Sequence, residues 1–441
     1  MRRRLASSVR QGASHPALNP ELIVESDCSW SKIGAHVASQ GRTCLAIVDD
    51  GSAGRADRCL FELRKVGINC AVFTSRGAHP CTDGVDEARE MAKRIGAMSI
   101  VGIGHGGTLD TGKAAARLHS SSGGSKHFLT SPGGVLLGEG GNNTEPKTPA
   151  GAALPLVSVP TSAGSGAAAN GRCLVWHPDD EVLVPLAEIP GPGDSLSVAL
   201  VDPTLCTSLS KAQTAAMALT ALSACVDALV ARELALLGDP SGAGASLPQP
   251  RDWGDDALFR LGSRGIRAVA KGLPTALVDG QNALARELLT IGSVYGGRLS
   301  AITLAPPTQL VARAAGSLLC RHSYSSLCAT VFPHVVGNML SQADSFSADA
   351  QVSEAFERAL SLSASLLLGD GNDGQALLSW VETQGREYLD FDSLSSVDPT
   401  VTAKDVATNI EMLLAIEEDS DAADRVWSGN GVLEVAELVV G

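Results

Sequence analysis

The chain has 441 residues, more than one hydrophobic core usually organises, so two or more domains are expected. Hydrophobic residues make up 44% of the chain and aromatic residues only 4%, so alanine, valine, leucine and isoleucine must build the cores. The net charge of −14 argues against a nucleic-acid or anionic-membrane partner, because a basic surface is needed to neutralise phosphates. No apolar run reaches the roughly 18–20 residues that a membrane-spanning helix needs.

Ten cysteines are present, and no C-x-x-C pair occurs among them. This spacing argues against a thiolate metal knuckle and against a thioredoxin-type redox pair. Several cysteines, such as Cys70 and Cys225, lie in apolar runs that are typical of small buried residues. Such usage fits a reducing compartment.

The first 20 residues contain four arginines, several serines and no acidic residue. This composition is typical of a mitochondrial transit peptide, and it equally fits an unstructured start. The predicted location is therefore mitochondrial or cytoplasmic.

Strand-like and helical patterns alternate in the first half of the chain. Strands are predicted at 43–50, 68–75 and 98–104, and helices at 55–67, at 83–96 and from Thr108 onward. Gly96 is suited to end the second helix. After a long loop at 119–153, further strands are predicted to start at 154 and 197. This alternation predicts a parallel sheet with helices on its faces.

The second half of the chain has helical patterning only. Residues 211–237 form a long alanine-rich segment, and 238–250 form a flexible break. Helical spacing continues in four segments, at 255–273, 280–299, 307–319 and 352–368. We therefore predict an α/β domain over 21–209, followed by an all-helical domain over 210–441.

The stretch VGIGHGGTLDTGK at 101–113 fits two phosphate-binding patterns in part. Gly102, Gly104 and Gly107 satisfy G-x-G-x-x-G, but no acidic residue follows about 20 residues later to bind a ribose. The P-loop pattern fails because Ala114 replaces the hydroxyl residue that binds magnesium. Both patterns describe an anion site at a helix N-terminus. A tight strand-to-helix turn without a ligand is the third alternative.

Three motifs together give a clearer interpretation. Three stretches of the chain match motifs that occur together in one protein family. GIGHGGTLDTGK at 102–113 matches G-I-G-G-G-S-x-I-D-T-A-K, and PTSAGSGAA at 160–168 matches P-T-T-x-G-T-G-S-E. DPTL at 202–205 matches D-P-x-L. With these motifs, from about residue 40 to 345, the chain resembles the iron-type alcohol dehydrogenases. This family includes glycerol dehydrogenase and maleylacetate reductase and is related to dehydroquinate synthase, so the resemblance implies the same two-domain architecture.

The resemblance implies a bound nicotinamide dinucleotide whose pyrophosphate lies on the glycine loop. Asp49 matches the family's ribose-binding acid, which favours NAD over NADP through repulsion of a 2′-phosphate. His105 replaces the middle glycine, so it either narrows the approach of the backbone or contacts a phosphate itself. The implied cofactor-binding residues are Asp49, Gly104, His105, Gly106, Gly107, Asp110, Lys113, Thr161, Ser162, Ser165 and Leu205.

The family also uses Fe²⁺ or Zn²⁺, held by an aspartate and histidines, to polarise the alcohol oxygen. The corresponding positions here are Thr220, Ala224, Thr308, Ala312 and His322. Only His322 and His334 follow residue 210, so one aspartate and three histidines cannot be assembled there. The resemblance therefore implies a member of the family without its metal.

Two functional hypotheses follow from these observations. The first is an NAD(P)-dependent oxidoreductase that acts on a small alcohol, aldehyde or ketone without the family metal, with His322 as proton donor and Tyr324 as a second candidate. The resemblance to maleylacetate reductases, which depend less on metal, implies that hydride transfer in this scaffold need not require it. The second is a catalytically inactive protein that still binds a dinucleotide. A metal-dependent lyase of the dehydroquinate synthase type would need the same missing ligands. A homodimer is expected, with a small molecule as substrate.

Overall fold

The computed structural model describes most of the chain in two compact units. The first unit comprises residues 1–162 and 166–208, and the second comprises 163–165 and 209–441. The N-terminal segment and the predicted break at 238–250 lie outside the described residues. Those residues are 21–24, 29–49, 53–129, 151–177, 179, 181–186, 197–237, 257–303, 306–344, 350–389, 393–416 and 431–441.

The first unit is built from strands that alternate with helices. Its strands are β1 Glu21–Val24, β2 Thr43–Asp49, β3 Asn69–Ser75, β4 Ser99–Gly104, β5 Leu156–Pro160, β6 Leu174–His177, β7 Val182–Pro185 and β8 Ser197–Val201. Its helices are α1 Ser29–Gln40, α2 Ala53–Lys65, α3 Thr82–Ile95 and α4 Gly106–Arg117. Six strands form one parallel sheet in the order β1-β8-β5-β4-β2-β3, and β6 and β7 form an antiparallel hairpin.

Helices cover both faces of the large sheet. Strand β2 shows why, because its side chains alternate between two apolar clusters. Cys44, Ala46 and Val48 pack with residues of α1 and α2 on one face, whereas Leu45 and Ile47 pack with residues of α3 and α4 on the other. The sequence of a strand that is buried on both faces is a nearly continuous apolar run, and residues 43–49 have this pattern.

The order of the strands creates a switch point between β2 and β4. The chain leaves β2 toward β3 at the sheet edge, but it leaves β4 toward β5 in the opposite direction. In open parallel sheets, ligands bind beyond the carboxyl ends of the two strands at such a point. These ends are Asp49 in β2 and Gly104 in β4.

The second unit is helical throughout its described residues. Contrary to the expectation from the sequence, its central helix, α5, is long and apolar enough to cross a membrane, but 89% of its most apolar 18-residue window is buried inside the protein, as in a core helix. A capping box between Ser210 and Gln213 fixes its start. The helices are α5 Lys211–Leu236, α6 Ala257–Val278, α7 Ala283–Ile302, α8 Pro307–Leu318, α9 Tyr324–Asp344, α10 Ala350–Leu368, α11 Gly374–Tyr388, α12 Leu394–Val397, α13 Ala403–Ile416 and α14 Gly431–Val440.

The predicted fold class, an α/β domain with a parallel sheet followed by a helical domain, is confirmed. Gly96 ends α3 in the left-handed conformation with φ of 62°, as its position after the helix predicted. Strand β1, helix α1, the β6–β7 hairpin and helix α9 were not predicted from the sequence.

Candidate functional site

The side chain of Asp49 contacts the glycine loop that follows β4. Its Oδ2 atom accepts hydrogen bonds from the backbone N–H of His105 and from the hydroxyl of Thr108, each at 3.2 Å. The imidazole Nε2 of His105 lies 3.9 Å from the same oxygen. Asp49 is buried, whereas 39% of the His105 side chain is exposed. The structure therefore brings together the predicted ribose-binding acid and the predicted pyrophosphate loop.

Gly104 is a glycine because this carboxylate lies against it. A Cβ atom at residue 104 would lie 2.1 Å from Oδ2 of Asp49 and 2.8 Å from Cβ of Thr108. Real Cβ atoms essentially never approach other atoms so closely. Glycine at residue 104 is thus required by protein packing, independently of any cofactor.

Helix α4 begins directly after this contact, with His105 as its N-cap residue. The first four N–H groups of a helix have no acceptor within the helix. Asp49 accepts from the first of them, at His105. The helix itself offers no acceptor to the N–H groups of Gly106, Gly107 and Thr108. These N–H groups and the helix dipole together favour the binding of an anion at the N-terminus of α4.

Gly107 also has a packing role. A Cβ atom there would lie 2.8 Å from the carbonyl oxygen of Ala78 and 3.5 Å from Cδ of Pro80. The segment between β3 and α3 thus lies directly on the loop. Ala78 is a contact that the sequence analysis missed, and no motif marked it.

We expect Gly107→Ala to destabilise the protein even when no nucleotide is present. The added methyl group must displace a backbone carbonyl, and overpacking of this kind costs about 1–3 kcal/mol. Urea unfolding without nucleotide measures the effect. A free energy of unfolding equal to that of the wild type, with weakened nucleotide binding, would instead mean that the glycine serves the ligand alone.

Asp110 and Lys113 form a buried ion pair inside the first unit. Nζ of Lys113 lies 2.8 Å from Oδ1 of Asp110 and also donates to the carbonyl of Arg172 at 2.6 Å. Burial raises the pKa of Asp110, and the charge of Lys113 opposes that effect. The pair ties α4 to the segment that leads into β6. The observed contacts are thus structural, and the cofactor role of both residues stays a prediction.

The remaining predicted cofactor residues lie in two places. The N–H of Thr161 donates to the carbonyl of Gly104 at 2.9 Å, which holds the start of the second small-residue loop beside the first. Leu205 is buried in the core cluster of the first unit, in a short 3-10 turn that Asp202 caps. Ser162 is the last residue of the first stretch of the first unit, whereas Ser165 belongs to the second unit. Their cofactor roles stay predictions.

The positions predicted to correspond to the family's metal ligands lie in the second unit. Ala224 and Ala312 are buried and have no donor atoms. The hydroxyl of Thr220 donates to the carbonyls of Ala216 and Ser325, at 2.8 and 3.0 Å. The hydroxyl of Thr308 donates to Oδ1 of Asp227 at 2.9 Å. These residues do not fit a divalent metal ion.

His322 and Tyr324, the two predicted proton donors, lie at the start of α9. Both side chains are partly buried. His322 lies close enough to Asp398 for its charge to contribute to the lowered pKa of that carboxyl, after the larger effect of hydrogen bonds from Thr400. Burial, followed by the neighbouring Cys328, raises the pKa of Tyr324 well above its ordinary value. Tyr324 therefore keeps its proton at neutral pH.

Comparison with known proteins finds a family match in the first half of the chain. Residues 20–203 match the family model described as iron-containing alcohol dehydrogenase. Over these residues the chain is similar to this family. The resemblance predicted from the three motifs is therefore confirmed. The model match ends before the helical unit, so the correspondence of the metal-ligand positions stays a prediction.

Individual relatives are distant. The chain is 22% identical over 269 residues to the NAD-dependent methanol dehydrogenase of Bacillus methanolicus, an alignment that covers 60% of this chain and 61% of that protein. Across the first three curated relatives, the chain spans about half to three fifths of their length.

Solved structures of alcohol dehydrogenases share the fold over most of the chain. An archaeal halo-thermophilic alcohol dehydrogenase from a Red Sea brine pool superposes with a TM-score of 0.76 at 17% identity, covering 96% of this chain and 97% of the other. The sulfoacetaldehyde reductase of Bifidobacterium kashiwanohense, solved in complex with NAD+, superposes with a TM-score of 0.66 at 17% identity, covering 90% and 91%. At these identities the likeness concerns the fold.

Proposed function

We propose that this protein is an NAD-dependent oxidoreductase that acts on a small alcohol, aldehyde or ketone. The observation that carries the proposal is the meeting of Asp49 with the N-terminus of α4 at the switch point of the sheet. A dinucleotide needs an acceptor for its ribose hydroxyls and N–H donors for its pyrophosphate, and this edge offers both.

The same geometry favours NAD over NADP. Asp49 is buried beside the loop, and a buried carboxylate repels the 2′-phosphate that distinguishes NADP more strongly than an exposed one would. Two relatives support this choice, one by its name as an NAD-dependent enzyme and the other by its NAD+ complex.

We further propose that hydride transfer proceeds without the family metal. The support is the chemistry of the side chains at the corresponding positions, where two alanines and two hydrogen-bonded threonines replace ligands. A protonated side chain must then supply the proton that the product alkoxide takes up during reduction. His322 and Tyr324 are the two candidates.

Titration of the full chain with NADH and NADPH, followed by nicotinamide fluorescence with and without Zn²⁺ or Fe²⁺, tests the proposal. We expect NADH to bind more tightly than NADPH, with no change on adding metal. Failure of both nucleotides to bind would overturn the cofactor assignment. NADH binding that strengthens with metal would show that the protein holds a metal ion through residues other than those at the predicted ligand positions.

If His322 donates the proton, His322→Gln should lower kcat for carbonyl reduction by about a hundredfold, the lower range of general acid catalysis, and leave the Kd of NADH unchanged. Tyr324→Phe is the matched comparison, because it removes only a hydroxyl. Measuring the pH dependence of kcat in both variants separates the two donors. Full activity in both variants would mean that another group supplies the proton.

A binding protein without catalysis is the second candidate function. The observation that favours it is the same loss of donor atoms at the metal positions. NADH binding without turnover across a screen of alcohols, aldehydes and ketones would identify it. The mitochondrial or cytoplasmic location and the homodimer stay predictions.

A further inference from the structure

Two cysteines on neighbouring strands of the first unit form a close thiol pair. Cys44 in β2 and Cys70 in β3 are register partners in the parallel pairing, and their sulfur atoms lie 3.0 Å apart. Partners in adjacent strands point to the same face, and such strands lie about 4.8 Å apart. Disulfides bridge Cα atoms about 4.4–6.8 Å apart, and the ordinary spacing of adjacent strands lies within that range.

The two thiols differ in reactivity. The Cys44 thiol donates a hydrogen bond to the sulfur of Cys70, which lowers the pKa of Cys70. The backbone N–H of Ala46 and the charge of Arg64 act in the same direction, and burial opposes them. The hydrogen bond to Cys70, followed by burial, raises the pKa of Cys44. Cys70 is therefore the thiol that reacts as a thiolate.

Access also differs between the two thiols. Strand β3 is at the edge of the sheet, and Cys70 is only partly buried there. Cys44 is fully buried. A small oxidant can thus reach Cys70 first, and Cys44 lies behind it within bonding reach. A partly exposed thiol with a lowered pKa next to a second thiol is the arrangement of cysteines that respond to oxidants.

We propose that Cys44 and Cys70 form a dithiol site that hydrogen peroxide oxidises to an intramolecular disulfide. The Cys70 thiolate attacks one peroxide oxygen, so that the S–O bond forms, the O–O bond breaks and one water leaves after protonation. The Cys44 sulfur then attacks the Cys70 sulfenic acid, so that the S–S bond forms, the S–O bond breaks and a second water leaves with the remaining proton. Two thiols and one peroxide thus yield one disulfide and two waters, independently of the dinucleotide site.

Cys59 is the competing partner, because it lies on α2 in the same core cluster as Cys44. Burial raises the pKa of Cys59 well above its ordinary value, so it stays a thiol. It also has no cross-strand register with either cysteine. A disulfide that includes Cys59 is therefore a distinct outcome, and it would contradict the proposal.

Peptide mapping of the full chain after treatment with one equivalent of hydrogen peroxide tests the site. Trypsin places the three thiols on separate peptides, at 43–55, 59–64 and 66–76, so every pairing gives a different mass. Remaining thiols are alkylated in denaturant before digestion. We expect a linked peptide that joins 43–55 to 66–76, lighter by two hydrogens than its parts, that dithiothreitol separates again.

Variants identify the attacking thiol. Cys70→Ala should leave Cys44 reduced, whereas Cys44→Ala should let Cys70 continue to sulfinic acid. Cys320→Ser is the matched control, because Cys320 is exposed in the second unit and its loss should leave the linked peptide unchanged. Oxidation of exposed Cys81 and Cys320 while Cys44 and Cys70 stay reduced would overturn the proposal, as would a link between chains. The wild-type map decides the matter even if a variant fails to fold.

Discussion

Gly104→Ala should both destabilise the first unit and weaken NADH binding. The added methyl group would meet Oδ2 of Asp49 at 2.1 Å and the side chain of Thr108 at 2.8 Å, so the loop or the carboxylate must move. Overpacking of this kind costs about 3 kcal/mol at the upper end of the usual range. The movement also removes the geometry that we assign to ribose and pyrophosphate, so we expect affinity for NADH to fall by at least about a hundredfold, or about 2.7 kcal/mol.

Gly112→Ala is the matched control for this experiment. Gly112 belongs to the same motif and lies in α4, which follows Gly104, but the nearest atom to its added Cβ would be 3.6 Å away. Alanine is a better helix former than glycine by about 1 kcal/mol, so this variant should be at least as stable as the wild type. Urea unfolding and NADH titration are measured on both variants. Equal behaviour of the two alanines would show that the Asp49 contact does not constrain the loop.

Much of the fold could be predicted from the sequence because its signals are local. The apolar runs at 43–49 and 99–104 are buried on both faces, and each is bounded by glycine or by an amphipathic helix. The missed elements lack such signals. Strand β1 has four residues and is defined by pairing with β8, 177 positions away. The β6–β7 hairpin is equally short, and Pro333 interrupts the pattern of α9.

The site could be predicted only in part, for a similar reason. The motif identified Asp49 and the glycine loop, and parallel strands that are neighbours in a sheet bring their carboxyl ends together. The sequence did not reveal that the carboxylate accepts from the N–H of His105 and from Thr108, because Thr108 stands at a position that the motif leaves open. It also did not reveal that Asp110 and Lys113 are bonded to each other and to the backbone at Arg172.

A buried carboxyl in the helical unit gives the second large prediction. Asp227 of α5 is 1% exposed and accepts from the N–H and the hydroxyl of Thr308, at 3.1 and 2.9 Å. It thereby fastens α5 to the N-terminus of α8. Burial raises the pKa of Asp227 from 3.8 to about 7, although the hydrogen bonds from Thr308 and the N–H of Gln309 oppose that effect.

This pKa makes stability depend on pH in a defined direction. The folded carboxyl holds its proton more tightly than the unfolded one, so its contribution to stability is complete below about pH 3.8. The contribution declines as pH rises and is lost once pH passes the folded pKa of about 7. A difference of roughly three pKa units between the two states corresponds to about 4 kcal/mol.

Asp227→Asn should remove this pH dependence. The difference in unfolding free energy between variant and wild type should move in favour of the variant by about 4 kcal/mol between pH 4 and pH 8. Contributions of all other titrating groups cancel in that difference. The change in hydrogen bonding caused by the substitution sets the value of the difference at pH 4, so only its change between pH 4 and pH 8 reports on the carboxyl. Urea unfolding at several pH values measures it. Parallel curves for the two proteins would show that the folded carboxyl keeps an ordinary pKa.

Thr308→Val separates the hydroxyl from the rest of this contact. The hydroxyl lowers the pKa of Asp227, so its removal should move the loss of stability to a higher pH than in the wild type. Above pH 7 the variant should also lose about 1–3 kcal/mol, because the ionised carboxylate then lacks a donor inside the protein. At pH 4, where the carboxyl is largely neutral, the cost should be smaller. A cost that is the same at both pH values would mean that Thr308 acts through packing and not through its bond to the carboxylate.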